Sequence, residues 1–458
     1  MDIQTVSHTL SVGKNNVKLS KIEKFSYGFG DFASNLMWGS IGSFLLYFYT
    51  DVAFLPVAVT GTIMLVSRIL DAFIDPVIGA FIDRTNSKWG RTKPYILFGI
   101  IPLCVFYILS FTTIDGSDTV KIIYAYITYI IAGLLYSVVN IPYGALITIM
   151  TRDSNEKTQL SSIRVGGTAI GQILVTAGTM PLVGFFGRGN QQLGFFWTAI
   201  LFSVLGTIAF MIILKNCKER YIETKSADIG KRSLRYTYKS AFRNGPWVSA
   251  LIFTLFMFIR IGAVVAITIY FCLQVLKNPA MISILLPMIY VGLILAAVMT
   301  PAIIKRFGHR NGNIIGLSVS ILCLAILPYF QGSAVIFAIF YLIAYTFGGI
   351  CGSSAIGMTA DSVDYNEWKF GIRAEGTLYA GNSFATKVGM AIGGALIGYA
   401  LMLSGYDPKH VTASAITSIQ FLYYFVPILC SIIQILAVSF YKLDKIHPQI
   451  VSELNMRQ

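Results

Sequence analysis

The chain has 458 residues, of which 55% are hydrophobic and only 12% are charged, and its formal net charge is +14. Soluble domains carry about 25% charged residues, so this composition excludes an ordinary soluble protein and predicts a polytopic membrane protein. The six cysteines have no metal-binding spacing, and nucleophile–base pairs, HExxH and P-loop motifs are absent from the sequence, so we expect neither an enzyme, nor an ATP-driven pump, nor a cofactor.

Apolar segments long enough to cross a bilayer follow one another along the chain, which predicts an all-α protein with twelve transmembrane helices. They lie at 26–50, 57–82, 93–114, 119–150, 158–184, 192–214, 247–274, 279–303, 311–328, 334–358, 376–404 and 413–441. A long basic linker divides the segments six and six, as in two helix bundles joined by a loop. The predicted parts are a tail at 1–25, a bundle at 26–214, the linker at 215–246, a bundle at 247–441 and a tail at 442–458. KWGR at 88–91 and RFGH at 306–309 echo each other in equivalent loops of the two halves.

Lysines and arginines are distributed unequally between the two sets of loops. Most lie in the tails and in the loops on the same side as the tails, whereas the opposite loops hold Lys121, Arg188, Lys277 and Lys409. By the positive-inside rule, both termini are cytoplasmic and the protein lies in a bacterial-type plasma (inner) membrane. This placement explains the basic net charge, so we expect the lipid bilayer as a partner, no nucleic acid, and a monomer.

The first two segments carry ionisable residues at membrane depth, where such residues indicate a functional site. Asp31 and Asn35 share one helix face in the first segment because they are four residues apart. In the second segment, Arg68, Asp71 and Asp75 also share a face and sum to one negative charge. Such a site either takes up a proton or attracts a cation such as Na⁺, although a structural ion triad whose members satisfy one another is an alternative.

Further polar residues lie in four later segments. Tyr136 and Asn140 end the fourth segment, and Arg164 opens the fifth, where it either serves the site or reaches towards the interface. Arg260 and Lys387 lie near the middle of the seventh and eleventh segments. Aromatic rings together with amide and charged groups suit a sugar, because rings stack on a pyranose and polar groups bind hydroxyls.

Five motifs in order give the chain a resemblance to a known family. They are FSYGFGDFASN…LLYFYTD at 25–51, RILDAFIDP at 68–76, DRTNSKWGRTKP at 83–94, NIPYG at 140–144 and DSVDYNEWKFGIRAEG at 361–376. The chain resembles the glycoside–pentoside–hexuronide:cation symporter family over nearly its whole length. The resemblance implies a major facilitator fold, in which two six-helix bundles surround a central cavity.

The resemblance also implies roles for single positions. Positions matching Asp71 and Asp75 bind the coupling cation in the family's melibiose carriers, with help from those matching Ile74 and Ser137. The sugar-binding carboxylates of those carriers match Asn35 and Asn140, their lysine near the cation site matches Lys387, and their arginine after the fourth helix roughly matches Arg164. A tryptophan of those carriers is replaced by Gly144, so the chain is more similar to the glucuronide and xyloside carriers.

The sequence therefore predicts a secondary active transporter that carries a glycoside together with a cation by alternating access. We favour H⁺ over Na⁺ because Ile74 offers no oxygen ligand. Lys387 and Arg68 are expected to form a charge network with Asp71 and Asp75. Amides and arginines permit either a glucuronide, held through Arg164 and Arg260, or a xyloside. An exporter or exchanger of another small solute is the alternative.

Overall fold

The computed structural model describes residues 18–85, 87–151, 153–220, 234–372 and 374–457. Within these ranges the secondary structure is helical, and no β-strand occurs there. Much of the predicted N-terminal tail and part of the predicted linker, at 1–17 and 221–233, lie outside the described residues. Arg152 and Arg373, two of the basic loop residues used to predict the orientation, also lie outside them.

The N-terminal bundle contains six membrane-spanning helices joined by short loops. Its first helix begins at a capping box, in which the Ser20 hydroxyl accepts a hydrogen bond from the Glu23 backbone and the Glu23 carboxylate binds the Ser20 backbone. The helices are α1 (Lys21–Tyr47), α2 (Val57–Arg84), α3 (Lys93–Ser110), α4 (Asp118–Met150), α5 (Ser154–Gly187) and α6 (Gln191–Asn216).

The C-terminal bundle follows a short helix of the linker, α7 (Leu234–Arg243). Its first long helix has Asn244 as the N-cap, whose side chain accepts a hydrogen bond from the Trp247 backbone. The remaining helices are α8 (Gly245–Tyr270), α9 (Ile282–Ile326), α10 (Ala334–Phe370), α11 (Glu375–Leu403), α12 (Ala413–Ser439) and α13 (Leu443–Arg457).

Helix α9 crosses the membrane twice and is interrupted between the two crossings. Gly308 interrupts it with φ 76° and ψ 172°, a conformation that a residue with a Cβ rarely adopts. The segments 282–307 and 309–326, here α9a and α9b, are therefore two separate membrane helices. Gly90, in the equivalent loop between α2 and α3, also has positive φ, at 105°.

The count of membrane crossings agrees with the sequence. Nine stretches of the described residues are long and apolar enough to cross a membrane, and the stretch that contains α9 holds two crossings. Helices α1 and α2 are 27 and 28 residues long and span the same distance, although they carry more charged residues. The predicted class of twelve transmembrane helices in two bundles is confirmed.

The two bundles meet along a few helices that also border the central cavity. Helix α2 packs against α11, α5 packs against α9, and α1 packs against α8. Helices α2 and α11 approach most closely at a glycine pair, since a Cβ added at Gly398 would lie 3.1 Å from the Cα of Gly61. Small residues at such a crossing let the two backbones come together.

Candidate transport site

A cavity of about 270 Å³ lies between the two bundles near the middle of the helices. The N-terminal bundle supplies most of its polar and charged side chains, from α1, α2, α4 and α5. The C-terminal bundle supplies Tyr290, Thr386 and Lys387 together with an apolar wall of Phe258, Val265 and Met390. A ligand here contacts both bundles at once and can respond to their relative movement.

An ion pair joins the bundles inside this cavity. The Lys387 ammonium on α11 contacts the Asp75 carboxylate on α2. The other carboxylate oxygen of Asp75 accepts a hydrogen bond of 2.7 Å from the Ser137 hydroxyl on α4. Sequence spacing could place Asp75 on a polar face, but the partner across the bundle interface lies more than three hundred residues away in the chain.

Asp71 lies one helical turn before Asp75 and is in a different situation. Asp71 is only 4% exposed. Within the described part of the chain, its carboxylate has neither a hydrogen bond nor an ion pair. Gly133 makes room for it, because a Cβ there would lie 3.0 Å from an Asp71 oxygen and 3.3 Å from the Ser67 hydroxyl. The Ser67 hydroxyl is also buried and has no hydrogen-bond partner among the described residues.

The formal charges that line the cavity cancel. Arg68 and Lys387 contribute two positive charges, and Asp71 and Asp75 contribute two negative charges. The triad on α2 alone carries one negative charge, so Lys387 from the other bundle balances it. A cation that binds at the aspartates therefore creates an excess of positive charge unless Lys387 moves away, because like charges repel strongly in a poorly hydrated site.

An aromatic surface covers one side of the cavity. The rings of Trp38 and Tyr136 stack with centroids 4.4 Å apart and an interplanar angle of 11°. The Arg68 guanidinium lies over the Trp38 ring at 4.4 Å from its centroid. Trp38 and Tyr136 both line the cavity. Tyr136 and Arg68 thus cover the Trp38 ring and fix its orientation, and the aromatic groups make this side of the cavity apolar.

Two amide side chains offer free acceptors in the same cavity. The oxygens of Asn140 and Gln172 are buried and have no hydrogen-bond partner in the part of the chain that the structure describes. Gly39 allows Gln172 its position, since a Cβ at residue 39 would lie 2.6 Å from the Gln172 amide oxygen. Unpaired buried acceptors are costly unless a ligand or water satisfies them. Hydroxyl donors of a bound ligand would satisfy these two oxygens.

Gln172, Trp38 and Tyr290 are cavity residues that the sequence did not single out. The available signal for Gln172 was an amide within the apolar segment 158–184, which is weaker than a charge. Trp38 lies one turn from Asn35 on the first helix and could have been proposed as a stacking surface. Nothing in the sequence marks Tyr290, because a tyrosine in an apolar span is common at helix contacts.

Three of the predicted substrate-binding residues lie elsewhere in the N-terminal bundle. Arg164 forms an ion pair with Asp31, in which Nε lies 2.5 Å from one carboxylate oxygen. The Tyr143 hydroxyl, 3.3 Å from the same oxygen, also donates to Asp31. Asn35 donates its amide to the Asp31 carbonyl at 2.7 Å. These residues satisfy one another, and none of them is among the residues that line the cavity.

Arg260 is placed inside the C-terminal bundle and not in the cavity, contrary to the expected carboxylate contact. It is 3% exposed, and its guanidinium donates to the Gly348 carbonyl at 2.7 Å and to the Ser431 hydroxyl at 3.3 Å. A Cβ at Gly348 would lie 2.6 Å from Nη1 of Arg260, so the glycine creates this space. In this conformation Arg260 holds α8, α10 and α12 together, and it does not contact a ligand in the cavity.

Side-chain contacts close the space between the bundles at the end that lies away from the chain termini. Thr50 and Tyr270 share a hydrogen bond of 2.6 Å, and Thr62 and Tyr399 share one of 2.7 Å. The Tyr406 hydroxyl donates to the Asp51 carboxylate at 2.7 Å. Each contact joins the N-terminal half to the C-terminal half. The cavity is therefore sealed from that side by polar contacts. A rocking movement of one bundle against the other could break these contacts one at a time.

Comparison with known proteins agrees with this architecture. The family model described as MFS/sugar transport protein matches residues 26–445. The chain is 36% identical over 455 residues to an isoprimeverose transporter of Lactiplantibacillus pentosus, covering 97% of this chain and 93% of that one. It is 31% identical over 444 residues to a putative glycoside/cation symporter of Escherichia coli strain K12, covering 95% of each.

Solved structures resemble the fold at lower sequence identity. The crystal structure of the nucleoside transporter NupG superposes with a TM-score of 0.67 at 15% identity and covers 92% of this chain and 99% of that one. At this identity the likeness concerns the fold alone. Together with the family match and the helical architecture, it leads to one assignment: the chain belongs to the MFS/sugar transport protein family, as its motifs predicted, and is a multi-pass membrane transporter and not an enzyme.

Proposed function

We propose that the protein imports a small neutral glycoside together with a proton. The observation that carries this proposal is the Asp75–Lys387 ion pair between the bundles, which lies in the same cavity as the unpartnered Asp71. A cation that binds at these aspartates competes with Lys387 and thereby changes a contact between the bundles. Coupling requires such a link between cation binding and bundle movement.

The cavity favours a neutral sugar over a hexuronide. Before a proton binds, its lining charges cancel, so a bound carboxylate would add a negative charge that the empty cavity does not balance. Arg164 and Arg260, the two arginines expected to bind a glucuronide carboxylate, have their own partners outside the cavity. The similarity to an isoprimeverose transporter supports a glycoside as the substrate. A cavity of about 270 Å³ suits a mono- or disaccharide.

A proton fits the site better than Na⁺ does. Hard cations such as Na⁺ are held by several oxygens together. Asp75 already binds Lys387 and Ser137, and Ile74 offers no oxygen. Asp71 is buried beside the Ser67 hydroxyl and can take up a proton without any further ligand. If sodium is nevertheless the cation, Asp71, Asp75 and Ser137 are the residues that would hold it.

The direction of transport follows from the orientation that the basic residues favour. With both termini in the cytoplasm, the end closed by the contacts of Thr50, Thr62 and Tyr406 is periplasmic. A proton gradient directed inwards then drives sugar inwards. Release of the proton from Asp71 allows Lys387 to return to Asp75 before the empty carrier reorients.

The test uses purified protein in liposomes and a radiolabelled xylobioside. We expect accumulation when the interior is made alkaline, no further stimulation by a sodium gradient at fixed pH, and competition by unlabelled xylobioside more strongly than by a glucuronide or a galactoside. Stimulation by sodium without any effect of pH would overturn the choice of cation. Equilibration without accumulation under either gradient would contradict symport, and better competition by the glucuronide would contradict a neutral substrate.

A further inference from the structure

A second cavity, of about 350 Å³, lies at the terminus-side end of the C-terminal bundle. It is formed where α9a turns into α9b and where α12 passes into α13. Arg310, Lys442 and Lys445 line it, together with Phe307, Asn311 and Asp444. These chain segments end or begin at the membrane surface, so the cavity opens at the depth of the lipid headgroups.

The described residues do not neutralise the positive charge of this cavity. The side chains of Arg310, Lys442 and Lys445 are exposed, and in the described ranges none of them has a hydrogen-bond or ion-pair partner. The single acid, Asp444, is already used, because its carboxylate accepts hydrogen bonds from the backbone N–H groups of His309 at 3.0 Å and of Arg310 at 2.8 Å. Three unpaired cations in a concave site favour a ligand with an anionic phosphate.

An apolar track leads from the membrane to this cavity. On α12 an exposed stripe of Phe421, Phe425, Leu429, Ile432, Leu436 and Phe440 runs along one face to the residue before Tyr441, which lines the cavity. On α9b, Ile315, Leu322 and Ile326 are exposed as well. Helices α9 and α12 pack against each other. Acyl chains can therefore lie along these faces while a headgroup occupies the cavity.

We propose that this cavity binds the headgroup of an anionic phospholipid, with the acyl chains along α12 and α9b. The combination of unpaired cations and an adjoining apolar stripe distinguishes a phospholipid from a soluble anion. Basic pockets at the cytoplasmic ends of membrane helices bind such headgroups by the same physical chemistry. The lipid would tie the turn at Gly308 to the start of α13, two segments that Asp444 already connects.

The first experiment titrates purified full-length protein in detergent with phosphatidylglycerol and measures the bound fraction by native mass spectrometry. A triple variant replaces the three cations by glutamine (Arg310→Gln, Lys442→Gln, Lys445→Gln). Its affinity for the first bound lipid is expected to be about tenfold lower or more, because each surface cation raises the affinity for an anionic lipid severalfold. Phosphatidylcholine with the same acyl chains is expected to bind wild type and variant equally. Equal binding of phosphatidylglycerol by both proteins would overturn the proposal.

A matched triple variant separates this site from general surface charge. Lys88→Gln, Lys215→Gln and Lys218→Gln remove three exposed cations from the same side of the N-terminal half. This variant is expected to keep wild-type affinity for phosphatidylglycerol. If it loses as much affinity as the first variant, the attraction is not local and the site is wrong. If water-soluble glycerol phosphate displaces the lipid at equal concentration, the cavity binds a free phosphate and not a phospholipid.

Discussion

Asp71 and Asp75 share a helix face but differ in their contacts, and this difference suggests separate roles. Asp75 is held by Lys387 and Ser137, so it senses the distance between the bundles. Asp71 has no such partner in the described chain and lies beside an unpartnered serine hydroxyl. We infer that Asp71 takes up the proton. The resulting change in charge then alters the ion pair between Asp75 and Lys387 on α11.

Neutralising either aspartate is therefore expected to abolish gradient-driven accumulation. In Asp71→Asn or Asp75→Asn the cavity carries a net positive charge without any bound cation, so a cation gains nothing by binding. Uptake driven by a proton gradient in liposomes measures the effect, and Asp118→Asn, which alters an exposed acid at the start of α4, is the control. Full accumulation by either cavity variant would contradict the assignment of the aspartates to the cation site.

Lys387→Ala is expected to loosen the ratio between protons and sugars transported. Without the lysine, Asp75 keeps an uncompensated charge, and a cation can stay bound whether or not sugar is present. The proton-to-sugar ratio is obtained from simultaneous measurement of alkalinisation and labelled uptake. Lys277→Ala is the control: it changes an exposed lysine in a loop at the end of the protein away from the termini, and it is expected to leave the ratio unchanged. An unaltered ratio in Lys387→Ala would show that the ion pair does not couple the two fluxes.

The amides of the cavity are expected to contribute to sugar affinity and not to coupling. Asn140→Leu and Gln172→Leu each remove an acceptor for a sugar hydroxyl, which corresponds to about 1 kcal/mol or roughly a fivefold weaker Kd. Binding is measured by displacement of a labelled glycoside under equilibrium conditions. Asn382→Leu removes another buried, unpaired amide oxygen that lies outside the cavity lining, so its Kd should stay near the wild-type value.

At the scale of elements, α2 and α11 combine the coupling charges with a close approach of the two bundles at a glycine pair. The glycine pair Gly61 and Gly398 lies towards the sealed end, while Asp75 and Lys387 meet nearer the middle. A change at the aspartates can thus be transmitted along two rigid helices to the contacts that seal the cavity. Rigid helices with two discrete arrangements are the physical means by which distant sites are coupled.

Gly398→Val is expected to open the sealed end. The added side chain would meet the Gly61 backbone, where even a Cβ would lie 3.1 Å from Cα, so α2 and α11 must move apart. Spin labels at Phe54→Cys and Asp407→Cys report the separation, and the six native cysteines are buried. Gly184→Val is the control because no atom lies within 4 Å of a Cβ there. An unchanged distance distribution in Gly398→Val would contradict this role of the glycine pair.

At the scale of the whole molecule, composition and helical periodicity predict the fold well. Twelve apolar segments and a central basic linker suffice to predict two bundles of membrane helices. The reason is that, within the bilayer, the backbone groups of each segment must be hydrogen-bonded within a helix. The 3.6-residue period likewise places Arg68, Asp71 and Asp75 on one face without any tertiary information.

The rotation of each helix about its axis is not encoded so plainly. A mid-span arginine predicts a polar surrounding, but only packing shows that Arg260 faces Gly348 and Ser431 and not the cavity. The same limit applies to Arg164, whose partner Asp31 is 133 residues away in the chain. Gln172 was missed for a related reason, since its access to the cavity depends on the absence of a side chain at Gly39.

The central claim, that sugar movement carries positive charge through this cavity, is tested most directly by electrical recording from liposomes adsorbed on a solid support. A sudden addition of xylobioside at constant pH and without sodium is expected to move positive charge into the liposomes and to produce a current. Asp71→Asn is expected to bind the sugar but to lack the slower part of this current, which reports continued transport. Sugar uptake by the wild type without any current, or an equal current from Asp71→Asn, would contradict proton-coupled symport through Asp71.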